Sequence, residues 1–149
     1  MKVRAYVLLV FAGILSMSAS TKKASLSEGN TPGNLAPRIE SMDNGREVRF
    51  QNHSGKYTLL NFWAAYDAES RARNIQLWNE VNKLNSSEIE MISISYDKSP
   101  SVFSETVKAD RLNQENQFRD EQGAESELYK KYGLKKGFRN FLIDDKGVI

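Results

Sequence analysis

The stretch YTLLNFWAAYDAESR, residues 57–71, decides the fold. Its first seven residues are almost all apolar, which is typical of a short strand buried on both faces of a parallel sheet. From Asp67 to Leu84 the period changes, and Ile75, Trp78 and Val81 recur every three residues. This spacing predicts an amphipathic helix of about five turns with those residues facing the core. A buried strand that leads directly into a helix indicates one unit of an α/β domain.

The alternation continues towards the C-terminus. Residues 89–96 are a second β-rich run, and residues 100–109 predict a helix with Val102, Phe103 and Val107 turned inward. Residues 125–132 predict a short helix that Gly133 closes, and residues 140–144 predict a further strand that turns into Val148. This order of strands and helices predicts an α/β domain with a central sheet.

The first twenty residues have the pattern of a secretory signal. Lys2 and Arg4 precede an apolar run over residues 5–14, and small residues suited to signal peptidase follow it. We therefore predict a cleaved signal peptide over residues 1–20, with an uncleaved membrane anchor as the alternative. Because no cysteine follows the run, the exported chain is not a lipoprotein. The sequence thus predicts a periplasmic or otherwise exported protein with no membrane attachment after cleavage.

The rest of the chain predicts one domain, and its charge balance does not indicate a nucleic-acid or anionic-membrane partner. Residues 21–35, rich in Ser, Lys, Gly and Asn, predict a flexible linker, and residues 36–149 predict the globular domain. Two of the 21 basic residues, Lys2 and Arg4, lie in the predicted signal, so 19 basic residues balance 19 acidic ones in the remainder. This balance gives no electrostatic support for a nucleic-acid or anionic-membrane partner.

Several short segments in a fixed order resemble one known family. They are Ala36-Pro37, Asp43-Asn44-Gly45, Asn61 to Tyr66, Tyr132-Gly133-Leu134, and Asn140 to Asp144 followed by Gly147. Together they resemble the thioredoxin superfamily, and most of all its periplasmic TlpA-like branch of thiol–disulfide oxidoreductases. The resemblance implies a thioredoxin-like α/β fold over residues 36–149, with a central mixed sheet flanked by helices and an N-terminal β-hairpin extension.

The same resemblance implies that the C-terminal end is truncated. In relatives the segment after Gly147 completes a strand, and a helix then covers one face of the sheet. Only Val148 and Ile149 follow here. Either these elements are missing from the product, or a partner covers the sheet in their place.

The chain departs from the family at its reactive positions. Relatives carry an aromatic residue and then a Cys-x-x-Cys pair, and here Tyr66 is followed by Asp67 and Ser70 at the two cysteine positions. Phe138 stands where relatives carry a cis-proline, so we expect a trans peptide bond there. The chain contains no cysteine. Because disulfide exchange requires an attacking thiolate, we predict no catalytic residue in this chain. Ser70 would need a base, and the only histidine is His53.

The replacing residues suggest other roles. Asp67 is expected to cap the helix, with Glu69 near the positive end of the helix dipole. The alternative is a Ca²⁺ or Mg²⁺ site formed by Asp67, Glu69 and Asp97, although this spacing matches no metal-binding loop, and we expect neither a metal nor a cofactor. Tyr66, Phe138 and Arg139 are predicted to form a binding surface for a peptide.

Three functional hypotheses follow from the sequence. The first is a redox-inactive, exported, thioredoxin-like domain that binds a peptide or protein partner. The second is the activity that the resemblance implies, namely a thiol–disulfide oxidoreductase or antioxidant protein of cell redox homeostasis. The third is a truncated homologue without activity.

Overall fold

The computed structural model describes residues 25–40, 42, 45, 47–84 and 86–149. The strands are β1 (Tyr57–Trp63), β2 (Ile89–Ser95), β3 (Gln117–Arg119) and β4 (Asn140–Ile143), and the α-helices are α1 (Ala68–Val81), α2 (Pro100–Ala109) and α3 (Glu127–Lys131). The strands form one sheet in the order β3-β2-β1-β4. β2 is parallel to β1 and to β3, whereas β4 is antiparallel to β1. The predicted α/β class, with a mixed central sheet flanked by helices, is confirmed.

The sheet separates two apolar clusters. Leu60 and Phe62 of β1 lie on one face, in a cluster that also takes in Ile94, Phe141 and Tyr132. On the other face Trp63 packs with residues of α1 and α2, namely Ile75, Trp78, Phe103 and Val107. Since successive residues of a strand point to opposite faces, the apolar run of β1 supplies both clusters. The run is therefore buried on both sides towards its C-terminal end, as its composition predicts.

The segment before the domain is hydrogen-bonded to the C-terminal residues. The amide of Gly33 donates to the carbonyl of Ile149 at 2.8 Å, and the amide of Ala36 donates to that of Gly147 at 2.8 Å. The composition predicts a flexible linker here, whereas residues 25–35 form part of the described structure. The predicted signal peptide lies outside the described residues. No described helix has the length and apolar character needed to cross a bilayer.

The expected N-terminal hairpin is reduced to isolated bridges. Val48 and Phe50 are buried, as their alternation predicts. Val48 pairs with Ile39, and Gln51 pairs with Lys146, but no continuous strand forms over residues 47–50. Asp43 and Asn44 of the predicted turn lie outside the described residues.

Helix α1 meets the middle of the sheet through polar side chains, while Ile75 and Trp78 of the predicted apolar stripe pack against the cluster around Trp63. Its buried residues are Ser70 and Asn74, while Ile75, Trp78 and Val81 are half-buried and Leu84 is exposed. The reason is that β1 places Asn61, and not an aliphatic residue, beneath the middle of the helix.

Asn74 is the centre of a buried hydrogen-bond network. Its Oδ1 accepts from Asn61 Nδ2 at 3.0 Å and from Ser93 Oγ at 2.7 Å, and its Nδ2 donates to Gln117 Oε1 at 3.2 Å. The network links α1 to β1, β2 and β3. Buried polar groups of this kind stabilise a fold only while their partners remain in place.

Replacing Asn74 with alanine is expected to destabilise the domain by about 3 kcal/mol, because three buried polar groups lose a partner. Urea unfolding of the variant measures this loss. Asn79 lies on the same helix but is exposed, so Asn79→Ala is the matched control and should change stability by less than about 0.5 kcal/mol. Equal losses in the two variants would show that the network does not hold α1 in place.

Candidate functional site

The candidate site lies where β1 and β2 end and the helices that follow them begin. Residues 64–67 connect β1 to α1, and residues 96–99 connect β2 to α2. Because the two strands are parallel, both connections lie at the same edge of the sheet. Residues 137–139 form the loop that leads into the antiparallel strand β4. This loop lies at the same edge, as the contact between Phe138 and Tyr66 shows.

Asp67 and Ser70, which the resemblance assigns to the two cysteine positions of the family, close the first turn of α1. Oδ1 of Asp67 accepts a hydrogen bond from the amide of Ser70 at 2.8 Å, which confirms Asp67 as the N-cap. The Ser70 hydroxyl donates to the carbonyl of Asp67 at 3.2 Å and accepts from the amide of Ala64 at 3.3 Å. The Ser70 side chain is buried and fully engaged with the backbone.

His53 cannot serve as a base for Ser70. It lies in the exposed turn before β1, where its amide donates to the carbonyl of Asp145 at 2.9 Å. Ser70 lies beyond the opposite end of that strand. The structure thus gives Ser70 neither an exposed hydroxyl nor a histidine to activate it.

The three carboxylates considered for a metal site bind separate partners. Asp97 is buried and accepts from the amide of Ala65, with both oxygens 3.0 Å from the nitrogen, and from Ser95 Oγ at 2.7 Å. Glu69 forms an ion pair with Arg73, and Asp67 caps α1. Within the described ranges, no group of three acidic or histidine side chains could hold a metal ion.

Tyr66 and Phe138 come together, as the sequence predicts. The Tyr66 side chain is 73% exposed, and its ring centroid lies 6.4 Å from that of Phe138. Phe138 is half-buried and stacks on Tyr96 at 5.8 Å with an interplanar angle of 14°. The peptide before Phe138 is trans, and no described residue has a cis peptide. Partial burial of the Tyr66 hydroxyl raises the pKa of this side chain.

Arg139, the third predicted binding residue, contacts a different part of the molecule. Its Nη2 donates to the carbonyl of Tyr132 at 2.8 Å, and its guanidinium carbon lies 5.3 Å from the centroid of the Phe141 ring. Arg73, which the sequence did not single out as a binding residue, instead supports the aromatic pair. Its Nη1 donates to the carbonyl of Phe138 at 2.9 Å.

An open groove of about 430 Å³ lies beside Tyr66. Ala65, Lys98, Ser99 and Val102 line it together with Tyr66. Val102 was expected to face the core but is 47% exposed, because it lies on the first turn of α2 and forms a wall of this groove. Neither Val102 nor Lys98 carried a sequence signal for a binding site.

Comparison with known proteins places the chain in a family. Residues 32–149 match the family model described as the AhpC/TSA family. This chain belongs to the AhpC/TSA family. Among curated protein sequences, none matches the chain significantly.

Solved structures similar to this AhpC/TSA-family domain include thiol–disulfide oxidoreductases. A thioredoxin-like protein from Parabacteroides distasonis is 61% identical, with a TM-score of 0.78 and coverage of 84% of this chain and 88% of that one. A thiol-disulfide oxidoreductase from Bacteroides fragilis is 28% identical, with a TM-score of 0.61 and coverage of 76% and 85%. A thiol:disulfide interchange protein from a Bacteroides species is 21% identical, with a TM-score of 0.64 and coverage of 83% and 79%, and shows the fold alone. The thioredoxin-like resemblance is confirmed.

Removing the Asp67 carboxylate is expected to weaken the start of α1. Asp67→Ala should reduce the free energy of unfolding by about 1 kcal/mol, because the amide of Ser70 loses its acceptor. Asp67→Asn keeps an acceptor oxygen and should cost less, which makes it the matched control. Urea unfolding of both variants measures the difference, and an alanine variant as stable as the wild type would show that the cap contributes nothing.

Proposed function

We propose that this AhpC/TSA-family domain binds a peptide or protein segment through Tyr66 and Phe138 and does not exchange disulfides. The observation that carries the proposal is that the Tyr66 side chain is exposed and its ring lies against that of Phe138. Exposed aromatic side chains in such positions often dominate the free energy of protein association.

The preorganisation of the pair supports a binding role. Phe138 is stacked on Tyr96 and held by the hydrogen bond from Arg73 to its carbonyl. Tyr66 directly precedes the capped first turn of α1, and the amide of Ala65 before it is bound by Asp97. Binding of a partner at these residues therefore costs little conformational entropy, because they are already ordered.

The second candidate function is the thiol–disulfide exchange that the names of several structural relatives suggest. Exchange needs a thiolate to attack the substrate disulfide and a second thiol to release the mixed intermediate. This chain has no cysteine. The carboxylate of Asp67 cannot form a bond to sulfur in that reaction, and the Ser70 hydroxyl is buried. The chemistry of the site therefore opposes this candidate.

A third candidate is a homologue that has lost all activity. It predicts that no peptide binding depends on Tyr66 or Phe138, so replacing these residues has no effect on binding. The proposed binding function predicts the reverse, so a single experiment separates the two.

We further propose that the protein is exported, as the sequence of residues 1–20 indicates. Mass measurement of the N-terminus of protein recovered from the producing cell tests this. An N-terminus after Ser18 or Ser20 is expected, and an intact Met1 on all recovered protein would contradict export with cleavage.

Replacing Tyr66 is expected to abolish most of the binding. Peptides are selected from a displayed random library against the purified chain, and their dissociation constants are measured by calorimetry. Tyr66→Ala should weaken the selected peptides at least about 10-fold, as expected for an aromatic hot spot.

The matched control is Tyr57→Ala. Tyr57 is 49% exposed and lies at the opposite end of β1, so this variant should change the dissociation constants less than about 2-fold. Selected peptides that bind Tyr66→Ala and the Tyr66→Ala, Phe138→Ala double variant as tightly as the wild type would refute the proposed surface.

A further inference from the structure

We infer that the segment bound at Tyr66 and Phe138 is acidic, with an apolar side chain that enters the groove between Tyr66 and Val102. The inference rests on the proposed function and adds the chemistry of the partner. It comes from the way in which charged side chains are paired across the described part of the molecule.

Away from the site, the lysines in or directly after the α-helices are paired with glutamate. Lys83 pairs with Glu80 at 2.8 Å, Lys108 with Glu105 at 3.0 Å and Lys130 with Glu127 at 3.1 Å. Each pair spans three residues on one helix face, the spacing at which opposite charges are neighbours. Positive charge on these helices is therefore neutralised locally.

Around the aromatic pair the lysines are left without acids. Lys135 and Lys136 are exposed and lie directly before Gly137 and Phe138. Lys98 is exposed and lines the groove beside Tyr66. None of the three forms an ion pair with a residue that the structure describes. The two arginines nearby do: Arg71 with Asp110 and Arg73 with Glu69.

The acids at the site are already bound to this chain. Asp67 caps α1, Glu69 pairs with Arg73, and Asp97 is buried against the amide of Ala65. Asp67 and Asp97 keep their negative charge but are bound to backbone amides. Lys135 and Lys136, in contrast, are exposed without an ion pair in the described structure, so the surface beside Phe138 carries an excess of positive charge. Basic and acidic residues nevertheless balance over residues 21–149. Such a rim attracts carboxylates, speeds their encounter and repels basic segments.

The groove adds an apolar requirement. Val102 is 47% exposed, and with Tyr66 and Ala65 it gives the groove apolar surface that an apolar side chain can contact. Arg71 and Asp110 neutralise one another, and the groove is also lined by the buried carboxylate of Asp97 and by exposed Lys98, which form no ion pair with each other, so its net charge is close to zero. An apolar anchor in the groove and carboxylates near Lys135 and Lys136 are therefore complementary to this surface.

The test compares peptide selections against two charge-reversal variants of the full chain. Lys135→Glu, Lys136→Glu removes the proposed rim. Lys56→Glu, Lys146→Glu is the matched control, because it makes the same change in net charge at half-buried Lys56 and exposed Lys146, which lie outside the site and also lack an ion pair in the described structure. Urea unfolding verifies that both variants remain folded.

Peptides selected on the wild type are expected to be enriched in Asp and Glu and depleted in Lys and Arg. Their dissociation constants should rise about 10-fold in Lys135→Glu, Lys136→Glu and less than about 2-fold in the control, with weaker binding at high salt. Val102→Glu should weaken the same peptides, because it places a charge in the apolar groove.

The outcomes distinguish this inference from the proposed function. Peptides that require Tyr66 but show no acidic enrichment would refute the inference alone. A selection that yields no binding peptide refutes both. A 12-nucleotide single-stranded DNA that binds more tightly than every selected peptide, with the same dependence on Lys135 and Lys136, would overturn the assignment to an acidic protein segment.

Discussion

The hydrogen bond from the amide of Ser70 to the carboxylate of Asp67 is the interaction on which the site depends. The N-terminus of a helix carries free amides and a partial positive charge, which stabilise any anion placed there. The resemblance to thiol–disulfide oxidoreductases implies a cysteine at this position in redox-active relatives, and a helix N-terminus favours its thiolate. A carboxylate at the same place accepts the amide hydrogen bond but has no sulfur chemistry. The start of α1 therefore still stabilises an anion, but it has no thiol that could react with a disulfide.

Neighbouring interactions fix the positions of the residues around the start of α1. Asp97 binds the amide of Ala65, and Arg73 links Glu69 to the carbonyl of Phe138. Tyr66 is held between these two supports with most of its ring exposed. The buried network around Asn74 anchors the rest of α1 to three strands. The arrangement suits recognition of a partner, because its contacts are already ordered before binding.

The strongly patterned elements could be predicted from the sequence. The apolar run of β1, the Pro100 start of α2 and the Gly133 end of α3 are local signals, and the structure bears them out. The Asp67 cap follows from local chemistry in the same way. The pairing of Tyr66 with Phe138 at one edge of the sheet could be inferred only from the resemblance to a known fold.

The remaining features depend on tertiary contacts. β3 has three residues and forms only because β2 offers its edge, so residues 117–119 carry no pattern of their own. The buried face of α1 is polar because Asn61, Ser93 and Gln117 are complementary to Asn74, and a search for apolar periodicity finds Ile75 and Trp78 instead. The contacts of Arg139 and the exposure of Val102 likewise depend on tertiary structure, so the local sequence does not predict them.

The most direct test of the central claim is an insulin-reduction assay on the purified chain, with dithiothreitol as the reductant. Asp67→Cys, Ser70→Cys serves as the comparison, because it puts two thiols at the start of the helix. The account predicts that the wild type reduces insulin no faster than dithiothreitol alone. Turnover by the wild-type chain above that background would contradict it.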